Sequence, residues 1–201
     1  MVLQITLHNL ENGKVIMMND KMYEDMLKFK EAKKLVSVYS DTYDTERFSV
    51  GYIMAMDDSH IIIKHISPQG LYDGYILKRT EDIYQINYSG KYEAKILNLY
   101  NTQTMKHTDT NFSDENLVIA LLKLANQDNL IVSLELHSSG IYDNQGIVLE
   151  ANAENVLMEK ITDFAESDGY VSFDIGCITK IACDCDNEQA LKKLLNNSGH
   201  K

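Results

Sequence analysis

The sequence predicts a mainly β fold made of two tandem small β-barrels, each flanked by helices. Three observations lead there. First, Gly51, Asp73-Gly74-Tyr75, Ile83 and Ile86 return 95 residues later as Gly146, Asp168-Gly169-Tyr170, Ile178 and Ile181. Second, the apolar run Ile61-Ile62-Ile63 returns at that offset as Val156-Leu157-Met158, and Val36-Ser37-Val38 matches Val132-Ser133-Leu134 with one residue of slack. Third, each copy carries five short β-rich segments within about 60 residues, and bent strands that short favour a sheet closing on itself.

Residues 1–18 stand before the repeat. Leu3, Ile5 and Leu7 alternate, Asn12-Gly13 is a strong turn signal, and Lys14-Val15-Ile16-Met17-Met18 returns, which predicts a β-hairpin. Such a hairpin covers a sheet edge or offers one to a partner. The first repeat unit spans 19–100. Its opening helix is capped at Asn19-Asp20 and runs to about Lys33, with Met22, Met26 and Phe29 on one face. Strands are expected at 35–39, 48–56, 60–66, 74–79 and 82–88, then a helix near 90–100. A polar, threonine-rich linker covers 101–112.

The second unit spans 113–201. Ser113 caps a helix whose first turn holds Asp114 and Glu115, suited to the positive end of the dipole, and Leu117, Val118, Leu121, Leu122 and Leu124 form its buried stripe. Strands follow at 130–136, 145–151, 155–161, 169–174 and 177–183, then a helix near 187–197. The early strand glycines, Gly51 and Gly146, suit a sharp bend or a close backbone approach.

Bulk properties narrow the function. No segment approaches the roughly 20 apolar residues that span a bilayer. The first residues have neither a basic nor an apolar leader region. Three cysteines argue against a disulfide framework and for the cytoplasm. The net charge is −11, unevenly spread: residues 1–100 hold 12 basic against 14 acidic side chains, and residues 101–201 hold 7 against 16. The second half would repel a phosphate backbone, which is attracted by clustered Lys and Arg.

Local clusters offer several chemistries. Asp57, Asp58 and His60 can bind a metal or act as acid and base, but Asp57-Asp58-Ser59 also reads as a polar hairpin turn. His60 and His65 are five apart in one strand and point to opposite faces. Cys183 and Cys185 can hold a soft metal or simply be idle thiols. The loop from Ser67 to Tyr75 contains the chain's one proline and places Tyr72 and Tyr75 around Asp73. Those tyrosines suit contact with a protein or a nucleobase, although Asp-Gly-Tyr at both 73 and 168 also reads as the start of a strand. Residues kept in one copy alone (Tyr39, Tyr43, Phe48, Tyr72 and Arg79) are the better functional candidates. The nucleotide-binding, hydrolase, zinc-protease and calcium-loop motifs are absent from the sequence.

The chain resembles the Sm-like (LSm, Hfq) β-barrel superfamily. Val36 and Val38, then Gly51, then Asp57, then Ile61-Ile62-Ile63 carry the resemblance, and Ile83-Tyr84-Gln85-Ile86 looks like the family's short last strand. The second copy keeps Val132, Leu134, Gly146 and Val156-Leu157-Met158, with Asn152 in place of Asp57. The resemblance implies two Sm-like barrels and raises RNA as a partner. The RNA-binding members place Asn after that Asp and a basic residue with Gly in the last turn, whereas this chain has His60-Ile61 and Thr80-Glu81-Asp82. The expectation is therefore a non-enzymatic interaction or assembly module without a cofactor. It would bind a protein partner or itself through strand edges and through Tyr39, Tyr43, Phe48, Tyr72, Asp73, Tyr75 and Arg79. The alternatives are RNA binding through Lys78, Arg79 and loop aromatics of the first barrel, and a metal-dependent enzyme centred on Asp57, Asp58 and His60.

Overall fold

The computed structural model describes residues 20–108, 112 and 116–198. The hairpin expected over 1–18 lies outside the described residues, as do Asn19, Ser113, Asp114 and Glu115.

Helix α1 (Asp20–Glu31) opens the first half. Met26 and Phe29 are buried against Val36, Val38, Ile53, Ile61 and Ile63, as their helical spacing requires. Then come β1 (Leu35–Tyr39), β2 (Phe48–Met56), β3 (His60–Ile66), β4 (Tyr72–Arg79), a 3-10 turn over Thr80–Asp82, β5 (Gln85–Tyr88) and α2 (Lys91–Asn101). The second half repeats the order with α3 (Leu117–Gln127), β6 (Ile131–Leu136), β7 (Asn144–Ala151), β8 (Asn155–Ile161), β9 (Ser167–Asp174), a 3-10 turn over Ile175–Cys177, β10 (Ile178–Cys183) and α4 (Asp186–Ser198). The cap observed on α3 is Asn116, whose side chain accepts from the Val118 and Ile119 amides.

Strand register repeats residue for residue. Gly51 lies opposite His65 as Gly146 lies opposite Lys160, and His60 opposite Arg79 as Asn155 opposite Asp174. The bulge between Ile53 and Ala55 recurs between Val148 and Glu150. A Cβ on Gly51 would lie 2.0 Å from the Lys64 carbonyl oxygen, and one on Gly146 2.0 Å from that of Glu159, so the partner strand presses where a side chain would stand.

The two expected barrels do not form. All ten strands belong to one open antiparallel sheet in the order β5-β1-β2-β3-β4-β10-β6-β7-β8-β9. At its centre β4 of the first half pairs with β10 of the second, Tyr75 opposite Cys183 and Lys78 opposite Lys180. The physical reason lies in β3, which is apolar on both faces. Ile61 and Ile63 join the α1 cluster, while Ile62 packs with Ala55, Tyr75 and Leu77 among second-half residues that include Leu121, Leu122, Val132 and Ile181. A strand buried on both faces reads as a continuous apolar run. Here the second cover is α3, which touches β3, β4, β6, β7 and β10 and so bridges the seam. Helices α2 and α4 pack on the first and second halves through Ile96 and Leu191. Among the described residues no helix is long and apolar enough to cross a membrane.

Candidate docking interface

The seam between β4 and β10 shows how one half grips the other. Gly74 has φ +62, and a Cβ there would lie 2.2 Å from the Cys183 carbonyl oxygen and 2.5 Å from that of Asp184. Asp73 Oδ1 accepts from the Asp186 amide at 2.7 Å, in the first turn of α4. Tyr72 donates its hydroxyl to Asp184 Oδ2 at 2.8 Å. Burial and the Asp184 carboxylate push the Tyr72 hydroxyl well above its usual range, and burial raises Asp184 too. Tyr75 is 4% exposed and Cys183 is fully buried. Tyr75 is thus buried, and Tyr72 and Asp73 are half-buried and engaged within the chain. The segment expected as linker also packs here. His107 accepts from Tyr100 at Nδ1 (2.9 Å) and donates from Nε2 to the Gly74 carbonyl (2.8 Å), and burial drives its pKa down to about 4.

The outer edges carry the same parts without partners among the described residues. Among the described residues β5 pairs with β1 alone and β9 with β8 alone. With the 95-residue offset, β5 and the start of α2 correspond to β10 and the start of α4. A groove of about 580 Å³ lies there, lined among others by Tyr39, Phe48, Ile86, Tyr88, Lys91 and Glu93. Tyr39 stacks on Phe48 at 4.8 Å, and Phe48 meets Tyr92 edge-on at 5.4 Å, so both sequence candidates stand in this groove. At the other edge Gly169 repeats Gly74 with φ +79, but a Cβ there would meet nothing within 4 Å. Tyr170, the counterpart of Tyr75, is 70% exposed. Asp168 pairs with Lys160 at 3.1 Å, just as Asp73 Oδ2 lies 2.9 Å from His65 Nδ1.

The remaining candidates lie apart from both edges. Tyr43 is fully exposed in the loop after β1. Arg79 is taken up by Asp82, Glu81 and, across the seam, Ser138. Lys78 is buried, bonds Ser40 Oγ at 2.7 Å, and is driven down to about 7 by burial, with Lys180 adding to the effect. Asp57 Oδ1 accepts from the amides of Ser59 (2.8 Å) and His60 (2.7 Å), the geometry of a hairpin turn. Asp58 accepts from Tyr23 at 3.3 Å, and burial lowers the pKa of His60.

A different trio comes together. His65, Asp73 and Cys185 place one donor atom each within 4.8 Å of one another, the one such three-donor group among the described residues. Sequence reasoning named these residues but did not join them, because 112 positions separate Asp73 from Cys185. The usable signal was the repeat itself: the counterparts of His65 and Cys185 are Lys160 and Gly90, so these two donors occur only at the seam. A second unread feature is a buried bond repeated in both halves, Ser37 to Glu93 and Ser133 to Glu188, each 2.5 Å.

Comparison with protein-family models, with curated proteins and with solved structures finds no match.

Proposed function

We propose that this chain is a non-enzymatic assembly module that adds a second copy of itself head to tail, β9 of one copy docking on β5 of the next. The observation that carries the reading is the seam, which supplies a complete pattern for a contact whose two surfaces recur on the outer edges. Moving the β4–β10 register outward by 95 residues sets Tyr170 opposite Tyr88, Val171 opposite Asn87, Ser172 opposite Ile86 and Phe173 opposite Gln85 of the neighbour. Exposed edge strands are templates for such pairing.

Charge supports the choice of partner. The seam's Asp186 becomes Lys91 at the groove, so the incoming Asp168 meets a positive side chain as well as a helix amide. The outer contact is the weaker of the two. Ala55 and Leu77, which pack across the seam, correspond to Glu150 and Ser172, and that polarity suits a reversible junction. Kinship with Sm-like proteins stays a proposal resting on the residues quoted above, and the docking does not depend on it. The RNA alternative is weakened at its two basic side chains, since Lys78 is buried and Arg79 is ion-paired.

The test is the light-scattering mass of the purified chain across a concentration series. Burying Tyr170 from 70% to the 4% of Tyr75 removes about two-thirds of a tyrosine surface from water, about 2.5–4 kcal/mol at the usual coefficient. Tyr170→Asp or Tyr88→Asp should therefore reduce a multiple of the chain mass to one. A wild-type chain that stays monomeric at high concentration would sink the reading, as would an oligomer indifferent to both substitutions.

A further inference from the structure

We infer that His65, Asp73 and Cys185 form a binding site for a divalent cation of borderline softness, zinc above all, that clips the two halves together at the seam. The site is separate from the docking edges and stands or falls independently of them.

The donors come from three elements. His65 is on β3, Asp73 on β4, and Cys185 immediately precedes α4, so the trio spans both halves of the chain. Their atoms lie within 4.8 Å of one another. A tetrahedral zinc with bonds of about 2.0–2.3 Å holds its ligand atoms about 3.3–3.7 Å apart, within reach of small side-chain rotations here. The His65–Asp73 approach is informative. Their atoms are 2.9 Å apart, yet His65 Nδ1 is buried and makes no well-aligned hydrogen bond. Two lone-pair donors brought close but not aimed at each other are the arrangement of neighbouring ligands around one ion.

The surroundings are consistent. Asp73 Oδ1 is fixed by the Asp186 amide, which leaves Oδ2 as the ligand atom. Cys185 is in no disulfide, and Sγ has only long contacts to the Tyr75 and Cys183 carbonyls, 3.6 and 3.9 Å. Glu188, one turn further along α4, is 2% exposed, and its Oε2 is buried without a hydrogen-bond partner. One nitrogen, one oxygen and one sulfur suit zinc and not magnesium or calcium, which take oxygen. Three protein ligands leave a fourth position for water, and binding releases the Cys185 thiol proton to solvent.

The other half supplies the control. Lys160 and Gly90 occupy the positions of His65 and Cys185 in the same local fold, with the Lys160–Asp168 pair in place of His65–Asp73. His65→Lys and Cys185→Gly therefore copy residues this fold already accepts. The experiment titrates the chelator-stripped wild-type chain with cobalt, then displaces the cobalt with zinc. The expected result is one equivalent per chain, tetrahedral visible bands and a thiolate-to-cobalt charge-transfer band, with affinity falling at least about tenfold in either variant. Should a variant fold poorly, the wild type answers alone: zinc should shield Cys185 from iodoacetamide, read by peptide mass, and leave Cys177 unshielded. Absence of the charge-transfer band, its survival in both variants, or unshielded Cys185 would overturn the site.

Discussion

Gly74 and Gly169 occupy the same position in the two halves, and the same substitution should have different consequences at each. Both have positive φ, +62 and +79, so alanine costs about 1–2 kcal/mol of backbone strain at either site. At Gly74 the new Cβ would also stand 2.2 Å from the Cys183 carbonyl oxygen and 2.4 Å from the Asp184 carbonyl carbon. These are backbone atoms and cannot rotate away, so β4 and β10 must part, adding about 1–3 kcal/mol or more. At Gly169 a Cβ meets nothing. For a chain of this size 1 kcal/mol moves the melting midpoint by about 2–4 °C. Gly169→Ala should then melt about 2–8 °C below wild type and Gly74→Ala well beyond that, by circular dichroism on dilute, monomeric protein. In the head-to-tail contact the roles reverse, because the methyl group introduced by Gly169→Ala would strike the backbone around Tyr88 and Ser89 of the next copy. Gly169→Ala should be well folded and monomeric by light scattering. Equal melting penalties at the two glycines would refute the reasoning about the seam, and an undiminished oligomer in Gly169→Ala would refute its extension to the outer edges.

Two further predictions concern pH. Burial lowers His107 from 6.5 to about 4, so the neutral ring contributes stability that is present above pH 6.5 and lost as pH falls toward 4, up to about 3 kcal/mol; His107→Gln should flatten that stretch of the urea-unfolding profile, and an unchanged slope would refute it. Burial lowers Lys78 from 10.5 to about 7, so the cost of its charge is fully present below pH 7 and is relieved as pH rises toward 10.5; Lys78→Met should stabilise the chain by about 1–4 kcal/mol at about pH 6 and by progressively less in alkali, and a variant less stable than wild type in acid would count against the buried charge.

How legible all this was depends on the kind of information. Ile61-Ile62-Ile63 marked β3 because β-branched runs between polar turns are a local signal, and Gly51 marked the close approach of β3 because that contact leaves no choice of residue. The same three isoleucines also held the evidence against closed barrels, since a half-buried strand alternates and this one does not. What covers the second face, α3, lies more than 50 residues away and could not be read locally. The seam was illegible for the same reason: Asp73 reads as a turn residue until the Asp186 amide is seen beside it. Lys78 misled in the other direction, because a lysine next to an arginine reads as surface until the strand beyond it, β10, is placed. Asp57-Asp58-Ser59 was the reverse case, a turn whose chemistry is wholly local and therefore visible.

The asymmetry of the two halves bears on how the chain would assemble. Gly169 is explained without a partner, since the strand bulge between Glu159 and Ile161 and a φ of +79 ask for glycine. Tyr170 is not so explained, because nothing among the described residues buries it. Nor is the groove beside β5, where Tyr88 is half exposed although its counterpart Cys183 is fully buried. The two surfaces differ in sequence and in shape, so their union is heterologous, which gives a ring if the rotation closes and a filament if it does not. Either way internal seams and outer contacts alternate along the assembly. A substitution at the outer contact then breaks every second junction at once and leaves monomers, not shorter assemblies. A substitution at the seam strikes the monomer first. That difference separates assembly through repeated sheet edges from adventitious sticking of exposed tyrosines, which would shed mass gradually and from either kind of variant.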